Sequence, residues 1–247
     1  AIVNLGYFFT QDHPPLLSAQ GREFLLFGTL AYILDGAGWI MYFESIVAGP
    51  ITIVGTLSAA YSAPTVIFGL LLLGEMLMPI QYLGVALVIL GCIGLSYSPP
   101  NAASPIKTKR WIPLAIGALL LWGLAQTTAK HAYNMAGSNE ANMAFLNTIG
   151  GFLTLGIYGL LRDKRAGHTL ANWNKSFLPM AMMAAGDLGV IIATRFGPIS
   201  LVTPISSAYP VVTIIFASYA LKEKITRLQY AGIALVILGM FLAPQTA

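Results

Sequence analysis

Long apolar runs, separated by short polar or Gly/Pro-containing turns, follow one another along almost the whole chain. A helix of about 20 apolar residues crosses the hydrocarbon core of a bilayer, which is roughly 30 Å thick. Runs of this kind fall at about 24–43, 50–74, 80–98, 111–133, 141–161, 177–196, 198–221 and 228–243. In lipid, each span must satisfy its own backbone N–H and C=O groups, which a helix does. The pattern therefore predicts an all-α polytopic membrane protein.

The composition agrees with this pattern. Of the 247 residues, 57% are hydrophobic and only 9% are charged, whereas soluble domains carry about 25% charged residues. The formal net charge of +4 is no sign of nucleic-acid binding, because the basic residues lie in loops. A small-molecule substrate and the lipid bilayer are the expected partners, with no nucleic acid, and the chain is expected to be a monomer or a weak homo-oligomer.

One stretch of the sequence occurs twice. QYLGVALVILG at 81–91 returns as QYAGIALVILG at 229–239, an offset of 148 (229 − 81). At this offset, 21 of the 43 positions from 49 to 91 are identical, including Tyr61 with Tyr209 and Glu75 with Glu223. Shared apolar composition does not explain matched tyrosines and glutamates in one ungapped register. The chain is therefore predicted to hold a first repeat at 1–98, truncated, a basic linker at 99–110 and a second repeat at 111–243.

The two repeats are unequal in length. The second begins near Trp111, so its counterpart should begin 37 residues before residue 1 (148 − 111). We expect the first helix and part of the second to be missing from this chain; a naturally shorter protein with nine spans is the alternative. Five spans per complete repeat is an odd number, so the repeats should have opposite orientations, as in many secondary transporters. The expected fold is a 5+5 inverted repeat.

The basic residues predict the orientation. Ten of the 13 lie in three loops that share one face of the membrane, and an excess of Lys and Arg marks the cytoplasmic side. The central linker is therefore expected in the cytoplasm, in a protein of the bacterial inner (plasma) membrane. The ten residues are Lys107, Lys109, Arg110, Arg162, Lys164, Arg165, Lys175, Lys222, Lys224 and Arg227.

Several motifs together resemble a known family. WIPLAIGALLLWGLAQTTAKHAY at 111–133 is similar to the opening helix of an EamA domain, and the Pro-bearing helix, Glu75 or Glu223, and the LVILG segment are similar to its close. The whole chain resembles a permease of the drug/metabolite transporter superfamily with two EamA domains. The resemblance implies ten helices around a central cavity lined by the first, third, fourth, sixth, eighth and ninth, with the fifth and tenth packed outside.

Glycines in the repeated stretch predict a helix contact. Gly84 and Gly91 are seven residues apart, as are Gly232 and Gly239, so each pair lies on one side of its helix. Small residues let membrane helices approach closely, and the related small multidrug-resistance transporters carry a similar stripe on the helix that dimerises. We expect 80–98 to pack against 228–243.

Two aspartates lie inside predicted spans, where charged residues are costly and usually functional. Asp35 lies in AYILDGAGWIMYF and Asp187 in MAAGDLGVIIA. Asp187 matches Trp39, one helical turn after Asp35, so both carboxylates should face the same side of equivalent helices. Each is predicted to bind a substrate ammonium or to couple transport to protons; a hydrogen bond to a neighbouring helix is the structural alternative.

Further polar and aromatic residues are candidates for the same cavity. Pro-interrupted helices at matching positions of two repeats point to a transporter's substrate site, and Pro64 and Pro210 occupy two such helices beside tyrosines. The predicted substrate-binding residues are Asp35, Trp39, Tyr61, Trp122, Asn147, Asp187 and Tyr209. Trp39 and Trp122 fit a core or lipid-facing position equally well, and the alternative for the tyrosines is that the prolines merely bend their helices around a bundle.

Other charges are weaker candidates. Glu44, Lys130 and Arg195 fall near predicted span ends, where the side chain can reach the interface. Glu75 and Glu223 should act structurally, each beside the positive N-terminal end of the next helix. Cys92 is the only cysteine, the three histidines are far apart, and no motif predicts a catalytic site, a metal or a cofactor.

These features favour a secondary transporter, an exporter or exchanger of small organic metabolites such as amino acids or amines, working by alternating access. It is not expected to be an enzyme. The alternatives are a membrane-embedded enzyme or a non-transporting scaffold and, within transport, a nucleotide-sugar or phosphate-sugar exchanger. The last would need Lys or Arg within the membrane to offset phosphate charge, whereas the mid-span charges here are acidic.

Overall fold

A computed structural model describes residues 1–18, 21–49, 54, 60–96, 109–162, 170–208, 211, 212, 215, 219 and 226–242. Over these residues every long element is a helix. In chain order they are α1 (Ile2–Thr10), α2 (Arg22–Ala48), α3 (Ser62–Leu72), α4 (Pro79–Ser96), α5 (Trp111–Tyr133), α6 (Glu140–Gly151), a π-helical turn (Phe152–Gly156), α7 (Ile157–Arg162), α8 (Leu170–Phe196), α9 (Ile199–Ser206) and α10 (Arg227–Leu242).

The helices confirm an all-α polytopic membrane protein. Among the residues that the structure describes, four segments are long and apolar enough to cross a bilayer: Arg22–Ala48, Trp111–Tyr133, Glu140–Arg162 and Asn174–Phe196. Large apolar side chains such as Leu71, Leu160 and Phe196 are exposed on the outside of the helices, as expected where lipid replaces water. The predicted spans 50–74 and 198–221 lie partly outside the described residues, and their described parts are α3 and α9.

The chain divides into two compact units that do not coincide with the sequence repeats. The first unit consists of Ala1–Ile40 and Thr128–Gly197, and the second of Met41–Thr127 and Pro198–Ala247. Each unit therefore combines segments of both repeats. The chain passes from one unit to the other within α2, within α5 and between Gly197 and Pro198.

In the second unit, the two helices that carry the repeated sequence pack against each other. A Cβ placed on Gly91 would lie 2.9 Å from the carbonyl oxygen of Gly232, and one on Gly239 would lie 2.6 Å from that of Gly84. Only glycine permits this approach of the backbones. Val88 and Val236, which lie between the glycines, are both fully buried. We call this contact of α4 with α10 the glycine seam.

The glycine seam is symmetric under the repeat. Gly91 contacts Val236, and the equivalent pair, Gly239 and Val88, is also in contact. The same contact therefore occurs twice, with the roles of the two helices exchanged. Two parts related by a twofold axis make paired contacts of this kind. Low-numbered residues of α4 meet high-numbered residues of α10, so the helices run antiparallel. The axis that relates them is therefore perpendicular to the helices.

Both helices of the seam also begin in the same way. The Gln81 side-chain oxygen accepts a hydrogen bond from the backbone N–H of Met78 at 2.8 Å, and Gln229 accepts one from Thr226 at 2.8 Å. The Thr226 hydroxyl accepts in return from the N–H of Gln229, which completes a capping box. The glutamine of the repeated sequence therefore caps the start of each helix. The glycines of the same sequence let the two helices pack closely against each other.

The first unit has a core of its own. Phe24, Tyr32, Tyr133, Met143 and Leu146 are buried together from α2, α5 and α6. Close approach of α2 and α6 depends on two glycines, since a Cβ on Gly28 would meet Leu146 and one on Gly150 would meet the backbone of Tyr32. These contacts fix the two helices whose polar residues face the cavity described next.

Candidate functional site

A cavity of about 720 Å³ lies in the first unit, within the range of about 300–1,000 Å³ usual for small-molecule sites. Residues of α1, α2, α6, the π-helical turn and α8 line it. Four predicted substrate-binding residues lie on its wall: Asp35, Trp39, Asn147 and Asp187. The family resemblance did not place α1 and α6, the second and seventh helices of the ten-helix scheme, at the cavity.

Two carboxylates face this cavity from different helices. Asp35 projects from the middle of α2 and Asp187 from α8, and the two are close enough to interact electrostatically. Trp39, one turn after Asp35 on α2, lies on the same wall. The arrangement places two acidic groups close together on the wall.

A chain of side-chain amides leads to one of these carboxylates. The Asn4 side-chain amide donates to the Asn147 side-chain oxygen at 2.9 Å, and the Asn147 amide donates to Asp187 Oδ2 at 3.3 Å. Asn4 is only 2% exposed, and its hydrogen bond fixes which end of the Asn147 amide faces Asp187. Tyr32 lies on the same wall. Asp187 is therefore presented to the cavity by a pre-oriented polar chain.

The helices beside the carboxylates depart from regular α-helical structure. Residues Phe152–Gly156 form a π-helical turn, a feature that is frequent at functional sites. Thr154 in this turn lies directly against Gly36, the residue after Asp35. A side chain at position 36 would collide with Thr154, so this glycine lets the π-helical turn lie beside Asp35.

The remaining wall is apolar. Its largest side chains are flexible methionines and aliphatic or aromatic residues of α8 and the π-helical turn: Phe152, Leu153, Leu155, Met180 and Met183. Methionine adapts to ligands of different shape. The cavity therefore offers acidic groups at one place and an adaptable apolar surface elsewhere.

The other predicted site residues lie elsewhere. Tyr61 and Trp122 belong to the second unit, where their rings meet edge to face at 5.9 Å between centroids, and Tyr42 packs on the same indole. Pro64 lies in the first turn of α3, where a missing N–H costs little. Tyr209 and Pro210 lie outside the described residues.

The charges at the helix ends make specific contacts that the sequence did not predict. The Lys130 ammonium donates to the carbonyl oxygens of Thr194 at 2.9 Å and Gly197 at 2.6 Å, and Arg195 forms a salt bridge with Glu140. The expectation that Glu75 interacts with the next helix is wrong. Its carboxylate accepts from the backbone N–H groups of Ile199 and Ser200, 124 and 125 residues away, so it caps the start of α9, while Gln81 serves the start of α4.

Sequence reasoning also missed Asn4 and Tyr32. Asn4 lies at the start of a short apolar helix, and nothing in its neighbours marks it out; only the fold brings it to Asn147. Tyr32 is three residues before Asp35, and the helical period would have placed the two on one face. Within the described residues, no group of three or more His, Cys, Asp or Glu side chains has the geometry to hold a metal ion.

The fold and this site together define a class: a helical membrane protein with an acidic, partly apolar cavity lined by four α-helices and a π-helical turn. Comparison with protein families assigns the class more closely. The model of the EamA-like transporter family matches residues 1–97 and 109–243, and the chain belongs to that family. It is therefore an integral membrane protein of a small-molecule transporter family, and the predicted family is confirmed.

Comparison with solved structures agrees on the fold, with 19 matching chains. One, described as a crystal structure of a protein, superposes with a TM-score of 0.65 at 14% sequence identity, covering 98% of this chain and 94% of its own. At this identity, the likeness shows the fold alone. A search of curated proteins found no match.

Proposed function

We propose that this EamA-like transporter is a secondary transporter that exports or exchanges small organic metabolites bearing an amino group, such as amino acids or amines, by alternating access of two inverted repeats. The observation that carries the proposal is the pair of interacting carboxylates, Asp35 and Asp187, on the wall of an otherwise largely apolar cavity. An ammonium group has three N–H donors and a positive charge, which is what two carboxylates in an apolar surrounding select.

The cavity also supports the rest of such a cargo. The apolar side chains of Met180, Met183 and Phe152 provide a surface for a hydrocarbon portion. The hydroxyl group of Tyr32 on the same wall can donate to the carboxylate of an amino acid. An amine with an apolar body, or an amino acid with an apolar side chain, complements all three features.

The charge of the wall argues against phosphate-bearing cargoes. Among the described residues that line the cavity, none has a basic side chain. A nucleotide sugar or sugar phosphate needs Lys or Arg to offset its charge, and here it would meet two carboxylates instead. The nucleotide-sugar or phosphate-sugar alternative is therefore the weaker one.

The two carboxylates also support coupling to protons. Like charges held close together repel each other, so a proton on one of the pair and a cation beside the pair relieve the same repulsion. Binding of the ammonium group and binding of a proton then compete. A protein of this kind exchanges protons for its substrate and needs no nucleotide hydrolysis.

The test is counterflow into liposomes that contain the purified protein, with labelled phenylethylamine, leucine and lysine as probes. We expect uptake of at least one unchanged probe against its gradient when the liposomes are preloaded with the same unlabelled compound. Chemical conversion of the probe would identify an enzyme instead. Absence of uptake for the whole panel, with correctly folded protein, would contradict a carrier of amines and amino acids.

Replacement of the carboxylates gives the direct test of the site. Asp35→Asn and Asp187→Asn each remove a charge at nearly constant shape, and each should lower uptake at least tenfold, since losing a charged partner costs about 1.4 kcal/mol or more. Asp12→Asn is the control, because Asp12 is an exposed carboxylate outside the cavity. If both cavity variants keep pH-driven accumulation at the level of the control, the proton role is wrong.

The proposed setting is the bacterial plasma membrane, with the central linker in the cytoplasm and the protein acting as a monomer or a weak homo-oligomer. Cys92 is the only cysteine, so a Cys92→Ser background with Lys109→Cys gives one reporter beside the linker. In right-side-out vesicles, an impermeant thiol reagent should leave this cysteine unlabelled until the membrane is opened. Labelling of sealed vesicles would place the linker outside.

A further inference from the structure

Helical structure is interrupted between α8 and α9 at Gly197-Pro198. The boundary between the two units falls at the same peptide bond. A continuous helix would bond the carbonyl of Thr194 to the N–H of residue 198, but proline has none. Pro198 instead has an extended conformation, and α9 begins at Ile199. The break therefore leaves carbonyls without helical partners on one side and N–H groups on the other.

On the α8 side, a lysine supplies the missing donors. The Lys130 ammonium, from α5, lies 2.9 Å from the carbonyl oxygen of Thr194, 3.5 Å from that of Arg195 and 2.6 Å from that of Gly197. All these residues belong to the first unit. A cation at the C-terminal end of a helix also interacts favourably with the helix dipole.

On the α9 side, a glutamate supplies the missing acceptors. Glu75 accepts from the N–H of Ile199 at 2.7 Å with one carboxylate oxygen and from the N–H of Ser200 at 2.9 Å with the other. The Ser200 hydroxyl donates to the same carboxylate. These residues belong to the second unit, and an anion at the N-terminal end of a helix is again favourable.

We propose that Lys130 and Glu75 are positioning residues of the transport cycle, which cap the two ends of the α8–α9 break so that the Gly197-Pro198 joint can bend between transport states without leaving backbone groups unpaired. The proposal rests on the proposed transport function. Lys130 binds carbonyl groups that precede Pro198, and Glu75 binds N–H groups that follow it, so rotation of the backbone at Pro198 leaves both caps intact. Neither residue touches the cavity, so both act on the rate of interconversion rather than on binding of the cargo.

The first test separates binding from turnover. Lys130→Met keeps the aliphatic stem but loses the donors, and we expect binding of the probe that wild type moves fastest to stay within about twofold while its uptake rate falls at least about tenfold. Lys130→Arg should restore most of the rate, because the guanidinium also donates to carbonyls. Lys175→Met, which changes an exposed lysine of α8 itself, is the matched control.

A second test examines the other cap without using transport. Glu75→Gln should accelerate hydrogen exchange of the Ile199 and Ser200 amides at least about tenfold, since these amides lose a charged acceptor, and should leave α10 unchanged. Glu23→Gln, an exposed glutamate of α2, is the control for this variant.

The outcomes separate the two proposals. If wild type moves no probe, the proposed function fails, and the exchange rates still decide whether Glu75 caps α9. If wild type transports, the positioning role is overturned by an unchanged uptake rate in Lys130→Met, by equal losses of binding and rate, by failure of Lys130→Arg to restore the rate, or by unchanged amide exchange in Glu75→Gln.

Discussion

The two units of this protein use small and polar residues in opposite ways. In the second unit, Gly91 and Gly239 bring α4 and α10 into backbone contact, and the valines between them are fully buried. In the first unit, Gly36 and Gly150 also bring helices together, but Asp35 and Asp187 beside them line a cavity. The glycine seam of the second unit is filled with close-packed apolar atoms, whereas the first unit leaves space next to acidic groups.

This difference between the glycine seam and the cavity shows that glycines in membrane helices can support two kinds of structure. Membrane helices associate through close packing because lipid removes the hydrophobic driving force between them. The glycine seam holds two helices together, while the unit that keeps a cavity and carboxylates has room for a ligand. The same addition of bulk should consequently have opposite effects in the two units: loss of stability in one and loss of binding in the other.

The largest effect is expected in the glycine seam. Gly91→Leu places a side chain against the backbone of α10, 2.9 Å from Gly232 O at its first atom, and should destabilise the fold by about 3 kcal/mol or more, at the upper end of overpacking costs. Thermal unfolding in detergent would measure the change. Gly94→Leu is the matched control, since nothing lies within 4 Å of a Cβ on Gly94 in the same helix; equal destabilisation by both variants would show that the seam is not the cause.

Extra bulk in the cavity should spare stability and remove binding. Ala184 lines the cavity on the same face of α8 as Asp187, so Ala184→Phe would occupy space that the cargo needs. We expect affinity for a transported amine to fall at least about tenfold, or roughly 1.4 kcal/mol, with an unfolding midpoint close to that of wild type. A large drop in the midpoint with retained affinity would mean that the cavity is a packing defect rather than a site.

The smallest effect is expected from the buried end of the amide chain. Asn4→Leu removes the donor that orients Asn147 but leaves both carboxylates in place, and loss of one neutral hydrogen bond is worth about 1 kcal/mol. Affinity should therefore fall about fivefold, less than for Asp187→Asn. Binding measured on both variants would check the order, and an Asn4→Leu effect larger than that of Asp187→Asn would contradict the role given to Asn147.

The sequence predicted well the features that depend on local patterns. Hydropathy predicted the all-α membrane fold, because span length follows from bilayer thickness. The seven-residue spacing of Gly84 with Gly91 and of Gly232 with Gly239 predicted a contact of α4 with α10, and the structure contains that contact. The repeat register also placed Asp35 and Asp187 on matching faces of equivalent helices, and both line one cavity; their role in binding stays a prediction.

Features that depend on contacts between distant parts of the chain were not predictable. Glu75 was expected beside the next helix, but it serves α9, because a capping carboxylate goes to whichever helix end the fold brings near. Lys130 was assigned to the interface from its position near a span end, whereas three carbonyls beside Pro198 hold it. The mixing of both repeats within each unit also follows from topology, which hydropathy does not encode.

The exchanged contacts of Gly91 with Val236 and of Val88 with Gly239 are those of a dimer of identical chains. In a pair of separate ancestral subunits, any substitution would have appeared on both sides of the interface at once. A covalent linker raises the effective concentration of one half around the other. The two halves therefore stay associated even when a substitution weakens their interface. Within one chain each half can accept substitutions alone, and the two carboxylates do occupy non-equivalent positions of the repeat, one helical turn apart.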